Sequence, residues 1–158
     1  MSTKLFKNVI RGLCDMYELD PKHILSGGTI EMGGVNFCLL HDEAADSPLL
    51  MSYCDFGAIA ENKEKQAYKK LLEINLSSYT GQGPTFCLSP SGHVVLVNNY
   101  LLEILTPEIL AGYLALVSMD AKDWRDDFFL VEEAGTTMKK SFNTSLPQRM
   151  SKTRAEKF

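Results

Sequence analysis

Three histidines and four cysteines are the residues with the widest chemical range in this 158-residue chain. No HExxH pattern or similar spacing joins His23, His41 and His93, which argues against a metal site. The cysteines are Cys14, Cys38, Cys54 and Cys87. They are 24, 16 and 33 positions apart, so no pair has the C-x-x-C spacing of zinc ligands or redox centres. We therefore expect no metal and four structural thiols.

One short polar segment contains residue types that are common in active sites. His41-Asp42-Glu43 stands in a loop between two strand-like runs and could act as an acid or a base. A cysteine nucleophile would need such a base nearby, yet Cys38 and Cys87 stand inside apolar runs typical of structural thiols. The favoured interpretation is a solvated loop in a protein that is not an enzyme. The alternative is a small cytoplasmic α+β enzyme or ligand-binding domain with a cysteine–histidine cleft.

The glycine-rich segments do not have the context of nucleotide-binding loops. Gly81-Gln82-Gly83 lacks the Lys-Ser/Thr pair that a phosphate-binding loop requires. The glycine pairs at 27–28 and 33–34 do not follow a strand that crosses over to a parallel neighbour through a helix. We expect no cofactor.

The elements that must position these residues follow from periodicity and turn chemistry. Apolar residues at three- and four-residue spacing predict helices, and short β-prone runs bounded by Gly, Pro and Asn predict strands. Ser89-Pro90-Ser91-Gly92 has the composition of a type I turn between two strands. The predicted elements are a helix from Ser2 or Thr3 to Asp20-Pro21, strands Thr29–Met32, Val35–Leu40 and Leu49–Phe56, a helix Lys63–Leu76, strands Thr85–Ser89 and His93–Val97, and a helix capped by Thr106-Pro107.

This order, α-β-β-β-α-β-β-α, predicts an α+β fold in which a mostly antiparallel, twisted sheet packs with helices. Residues 1–133 are expected to form one domain, followed by a basic, flexible tail over residues 134–158. Residues 1–138 carry a net charge of −9 and residues 139–158 one of +5. An acidic body argues against nucleic acid as the main partner. The longest apolar run, 109–119, is too short to insert in a membrane, and no signal peptide is visible, so we expect a cytoplasmic protein.

The predicted elements carry more apolar surface than one small core needs. The first helix is apolar over almost half its circumference, and the strand Leu49–Phe56 is apolar on both faces. Either all of this surface is buried within one monomer, or part of it contacts a second subunit or a client chain. Large apolar surfaces that stay exposed mark such interfaces.

Two segments resemble a known family. LLEINLSSYTGQGPTFCLSPSGHVVL carries Leu71, Leu72 and Asn75 ahead of a glycine-containing loop and a hairpin, and LLEIL-x-PEILAGYLALV opens a last helix that contains Trp124. Over roughly residues 4–131 the chain resembles the class I type III secretion chaperones, the CesT-like (Tir chaperone) family. The chain departs from the family pattern in two ways. The family's usual chain is shorter and lacks the basic tail, and residues 27–34 are richer in glycine than the family pattern.

The resemblance implies an ATP-independent chaperone of the bacterial cytoplasm that forms a homodimer. Such a chaperone holds the N-terminal chaperone-binding segment of one or more secreted effectors in extended, soluble form and aids its delivery to the secretion ATPase. It also implies effector-binding and dimer residues. The effector-binding residues would be Leu5, Val9, Phe37, Leu39, Met51 and Tyr53, and the dimer residues Leu71, Leu72, Leu88 and Val95. A further hypothesis is that the basic tail contacts a membrane or the export machinery.

Overall fold

A computed structural model describes residues 2–42, 48–78 and 83–126. Within these ranges four helices accompany a single five-stranded sheet with the strand order β1-β2-β3-β5-β4, and every neighbouring pair is antiparallel. The predicted α+β class is therefore confirmed. The elements are α1 (Ser2–Tyr17), α2 (Pro21–Leu25), β1 (Thr29–Met32), β2 (Val35–Asp42), β3 (Leu49–Ala58), α3 (Glu64–Ser78), β4 (Thr85–Leu88), β5 (His93–Leu101) and α4 (Pro107–Arg125).

The first helix ends before the predicted boundary. α1 stops at Tyr17, and Glu18 follows it with φ of 55°, a left-handed conformation common just after helices. Asp20 then caps α2, accepting a hydrogen bond from the backbone N–H of Lys22 at 2.9 Å, while Pro21 occupies the first turn. Asp20-Pro21 was expected to terminate a helix. It starts one instead, because both residue types are also favoured at helix beginnings.

Two tight turns set the registers of the hairpins. Gly33 and Gly34 both have positive φ, as the two-residue turn between β1 and β2 requires. In the predicted type I turn, the Gly92 N–H donates to the carbonyl of Ser89 at 2.9 Å, and Ser89 N–H donates to the carbonyl of His93 at 2.9 Å. The turn chemistry of the sequence is thus confirmed at Ser89–Gly92.

The last strand runs longer than predicted. The expected end at Val97 is wrong, since β5 continues through Asn98 and Asn99 to Leu101. Asn98 lies opposite Ser52 on β3, and both side chains are buried. The prediction ended the strand at Val97 because the two asparagines interrupt the apolar run. The backbone pairing of β5 with β3 nevertheless continues through them.

α1 and α4 pack against each other over the sheet. Thr106 caps α4 by accepting a hydrogen bond from the Ile109 N–H at 3.3 Å, and Pro107 follows it as predicted. A Cβ at Gly12 of α1 would collide with the ring of Pro107, so the glycine permits the close approach of the two helices. The largest fully buried side chains between helices and sheet include Ile10, Leu13, Phe37, Leu39, Leu50, Phe56, Leu96, Leu110 and Leu114.

Several predictions fall outside the described residues. They concern Glu43 of the polar loop, the first two residues of Gly81-Gln82-Gly83, the tail 134–158 and the domain boundary at 133. Among the described residues, no helix combines the length and the apolar composition needed to cross a bilayer.

Candidate functional site

The two faces of the sheet have different surroundings. Side chains alternate between the faces of each strand, so register decides which residues share a face. On β3, Leu50, Ser52, Cys54 and Phe56 are buried towards the helices, and the residues between them are only partly buried. β5 repeats this alternation. The residues on the second face, here called the open face, include Cys38, Leu40, Leu49, Met51, Tyr53, Val95, Val97 and Leu101.

The open face carries exposed or half-buried apolar side chains on each of its three central strands. Leu40 lies directly opposite Met51, and Tyr53 lies between Cys38 on one side and Val97 on the other. These side chains are exposed or half-buried on the side of the sheet away from α1 and α4. The same face also carries the exposed Asn99, opposite Met51, and the His93–Asp55 pair. Exposed apolar side chains of this kind are typical of a protein–protein contact.

The β4 edge of the sheet is closed by a side chain. The Asn75 amide on α3 donates to the carbonyl of Phe86 at 2.9 Å, and its oxygen accepts from the Phe86 N–H at 2.8 Å. These two bonds occupy the backbone groups that a further strand would use at the centre of this four-residue strand.

The β1 edge has no such closure. Met32 and Val35 close the two-residue turn as a hydrogen-bonded pair. Because bonded and non-bonded pairs alternate along an antiparallel ladder, the N–H and C=O of Thr29 and Glu31 point away from β2. No strand within the described ranges pairs with this edge. It is therefore available for backbone pairing.

Arg125, at the end of α4, fixes the turn beside this edge. Its guanidinium donates to the carbonyl of Gly34 at 3.2 Å, to that of Asp55 at 2.7 Å and to that of Phe56 at 3.0 Å. The last two residues adjoin the β-bulge of β3, where Gly57 has φ of 97° and its N–H donates to the Asp55 carboxylate. One side chain thus joins α4, the bulge and the β1–β2 turn.

A family model describes all of these elements together. The model of the Tir chaperone protein (CesT) family matches residues 29–125, from the start of β1 to the arginine that ends α4. The chain belongs to the Tir chaperone protein (CesT) family. Both the available edge and the Asn75 closure lie within the matched residues.

A solved structure shares the fold. A chain in the "Crystal Structure of the ExsC-ExsE Complex" superposes with a TM-score of 0.62 at 17% sequence identity, covering 84% of this chain and 98% of that one. At this identity the likeness concerns the fold. A comparison with curated protein sequences gives no match.

The six residues that the resemblance implied for effector binding do not form one exposed surface in this CesT-family chain. Val9, Phe37 and Leu39 are buried in the core, and Leu5 is half-buried against it. Met51 and Tyr53 lie on the open face instead. The register explains the separation, because Leu39 pairs with Ser52 and Phe37 with Cys54, which leaves residues 51 and 53 on the opposite side.

The residues implied for the dimer are also divided. Leu71 is buried against the core, whereas its neighbour Leu72 is 68% exposed. Leu88 is exposed at the end of β4, and Val95 lies on the open face. The sequence pattern did not single out Leu76, which is 79% exposed one helical turn beyond Leu72. A spacing of four residues in a helix could have indicated this pair.

Three of the four cysteines lack the environment of nucleophiles, while Cys87, which the sequence pattern predicted to be a structural thiol, is exposed on β4. Burial raises the pKa of the Cys14, Cys38 and Cys54 thiols, which disfavours the reactive thiolate. The prediction that His41 and Asp42 stand in a loop is wrong, since both belong to β2, and the His41 ring stacks on Phe6 with ring centroids 5.4 Å apart. Among the described residues, no group of His, Cys, Asp and Glu could hold a metal ion.

Proposed function

We propose that this chain is an ATP-independent type III secretion chaperone that holds an extended segment of a secreted effector. The observation that carries the proposal is the difference between the two sheet edges. Asn75 occupies the β4 edge, while Thr29 and Glu31 direct backbone donors and acceptors outward from β1. An extended client chain can pair with β1 and lengthen the sheet by one strand.

The paired strand would gain both backbone and side-chain contacts. Its side chains would alternate between the side of α2, which packs near β1, and the open face. Each aliphatic side chain buried on the way contributes roughly 1.5–3 kcal/mol. Ordering a disordered segment costs on the order of 2–5 kcal/mol, so the burial of a few such side chains is enough to offset it. No nucleotide is needed for this kind of binding.

A second copy of the chain is the partner that suits the exposed surface of α3. Leu72 and Leu76 stand on one side of this helix, next to the β4 side of the sheet. A homodimer that covers these leucines and the adjoining part of the open face, including Val95, would leave both β1 edges accessible. This arrangement places the client and the second copy on different edges of the sheet.

The remaining parts of the proposal follow the family. The dimer would act in the bacterial cytoplasm and aid delivery of its client to the secretion ATPase. Residues 1–133 would form the chaperone domain, with residues 134–158 as an added basic tail. The cysteine–histidine enzyme is not proposed, because burial raises the pKa of the Cys14, Cys38 and Cys54 thiols and so disfavours the thiolate that a nucleophile needs.

The proposal is tested at Glu31, whose side chain is exposed and whose N–H points outward. Glu31→Pro removes that donor and obstructs a neighbouring strand, yet proline is tolerated at such an edge position. Glu31→Ala is the matched control, since it keeps the N–H. Each variant is co-expressed with the N-terminal segment of the effector encoded beside the chaperone gene, and co-purification is measured.

We expect Glu31→Ala to retain the segment and Glu31→Pro to lose at least tenfold in affinity by calorimetry. Circular dichroism establishes that both variants fold. Equal affinity of the proline and alanine variants would reject client pairing at β1. Failure of the unaltered chain to bind any secreted segment would reject the chaperone function itself.

A further inference from the structure

The outward side of α4 carries an apolar stripe with no role in the core. Ile109, Gly112, Leu116 and Met119 follow each other at spacings of three, four and three, which places them on one side of the helix. Ile109, Leu116 and Met119 are 39%, 41% and 59% exposed, and a Cβ at Gly112 would meet no atom within 4 Å. The buried residues of α4, from Leu110 to Trp124, lie on the opposite side.

Negative charge lies at both ends of this stripe. Glu108 is exposed before it, and Asp123 and Asp126 are exposed after it. Carboxylates at the C-terminal end of a helix oppose its dipole, so the two aspartates do not stabilise α4 itself. The two basic residues of α4 do not neutralise them on this side. Arg125 donates to three backbone carbonyls, and the Lys122 side chain approaches the β1–β2 turn.

The same chain supplies a segment of complementary composition. Residues 139–158 contain six lysines and arginines and one acidic residue. Their large apolar residues are Phe142, Leu146, Met150 and Phe158. An apolar stripe with acidic ends and a basic segment with spaced apolar residues match in both charge and hydrophobicity.

The connection between the two is long enough. The 13 residues from Asp126 to Lys139 can span roughly 45 Å when extended, whereas the 19-residue helix α4 is about 28 Å long. The basic segment can therefore reach any part of the stripe. A tethered segment has an effective concentration in the millimolar range, so a modest contact area is sufficient for occupancy.

We propose that residues 139–158 dock along the outward side of α4 of the same chain. Their apolar side chains cover Ile109, Leu116 and Met119, and their lysines and arginines face Glu108, Asp123 and Asp126. This contact is independent of client binding at β1, since it uses a different element and needs no effector.

The test is carbodiimide cross-linking of the full chain at low ionic strength, followed by peptide mass spectrometry. This reagent joins lysines to carboxylates that are in direct contact. We expect links from the lysines of residues 139–158 to Glu108, Asp123 or Asp126. Leu116→Lys should reduce their yield at least fivefold. Leu40→Lys on β2 is the matched control, because it adds the same charge at an exposed leucine on the sheet face away from α4 and should leave the yield unchanged.

Three results would overturn the proposal. One is the same yield in Leu116→Lys as in the unaltered chain. Another is an even distribution of links over other exposed carboxylates, such as Glu61, Glu64 and Glu73 on and beside α3, which would indicate unspecific charge attraction. The third result comes from cross-linking a mixture of isotopically light and heavy copies of the chain. Links found only between a light and a heavy copy would assign the tail to a second molecule. Circular dichroism of the variants separates loss of docking from loss of fold.

Discussion

The amide of Asn75 pairs with the backbone of Phe86 through two hydrogen bonds of 2.8 and 2.9 Å, one in each direction. A side chain of α3 thus makes the contacts that another strand would make with β4. The same asparagine is the last residue of the Leu-Leu-x-x-Asn pattern that carried the family resemblance. Its physical role is to close one edge of the sheet and to fix α3 against it.

Replacing this asparagine should destabilise the chain. Asn75→Ala removes both bonds and leaves the backbone groups of Phe86 unpaired, which costs about 1–3 kcal/mol of unfolding free energy. Urea denaturation followed by circular dichroism measures the loss. Ser77→Ala, on the exposed side of the same helix, is the control and should change stability by less than about 0.5 kcal/mol. Equal effects of the two substitutions would contradict the edge-closing role.

The Arg125 fork should stabilise the β1–β2 turn in particular. Arg125→Met removes three charged hydrogen bonds, and we expect a loss of roughly 2 kcal/mol with faster amide exchange at Gly33 and Gly34. Arg125→Lys should be nearly as harmful, since an ammonium group cannot reproduce the planar fork. Hydrogen exchange by mass spectrometry gives the local readout, with Lys69→Met on the exposed side of α3 as control. Unchanged exchange at the turn in Arg125→Met would show that the fork is dispensable.

Stability should fall at alkaline pH. Burial raises the pKa of Tyr100 from 10 to about 12. As the pH rises, the unfolded chain therefore releases this proton before the folded chain does. The contribution of Tyr100 to the free energy of unfolding is fully present below pH 10 and is lost as the pH rises through 12. The loss amounts to about 3 kcal/mol at most. Urea unfolding between pH 8 and 12 measures the fall.

Tyr100→Phe is the control for this pH dependence. The buried Cys54 thiol, whose pKa burial also raises, acts in the same direction, so only the difference between the two proteins belongs to Tyr100. A slope that is identical in both proteins would contradict the assignment.

The proposed dimer should depend on the exposed leucines of α3. The double variant Leu72→Asp, Leu76→Asp places two charges in the contact, and we expect a monomer of 17.6 kDa instead of twice that mass. Size-exclusion chromatography with light scattering measures the mass. Ile104→Asp, which alters another exposed apolar residue, should leave the dimer intact. A dimer that survives the double substitution would place the contact elsewhere.

Local chemistry allowed much of the fold to be predicted. The Thr106-Pro107 cap, the Ser89–Gly92 turn and the strands near Thr29, Val35 and Leu49 all follow from residue types within a few positions. The errors also have local causes. Asp20-Pro21 suits the start of a helix as well as an end, and Asn98 interrupts an apolar run without interrupting the strand.

The candidate site was less predictable, because faces and edges depend on register between distant segments. Phe37 and Tyr53 are both apolar strand residues, yet pairing of Phe37 with Cys54 puts them on opposite sides of the sheet. A periodicity of two identifies the alternation within a strand and leaves open which set faces the helices.

By itself, then, the sequence determined the order and type of the elements, their turns and caps, and the family pattern from Leu71 to Val97, since these depend on nearest neighbours along the chain. Only the tertiary structure decided that Asn75 closes β4, that the β1 edge stays available and that Arg125 joins α4 to the β1–β2 turn and to the bulge of β3. Hydrogen bonds between residues up to 91 positions apart create these features, and such pairings exist only once the chain has packed.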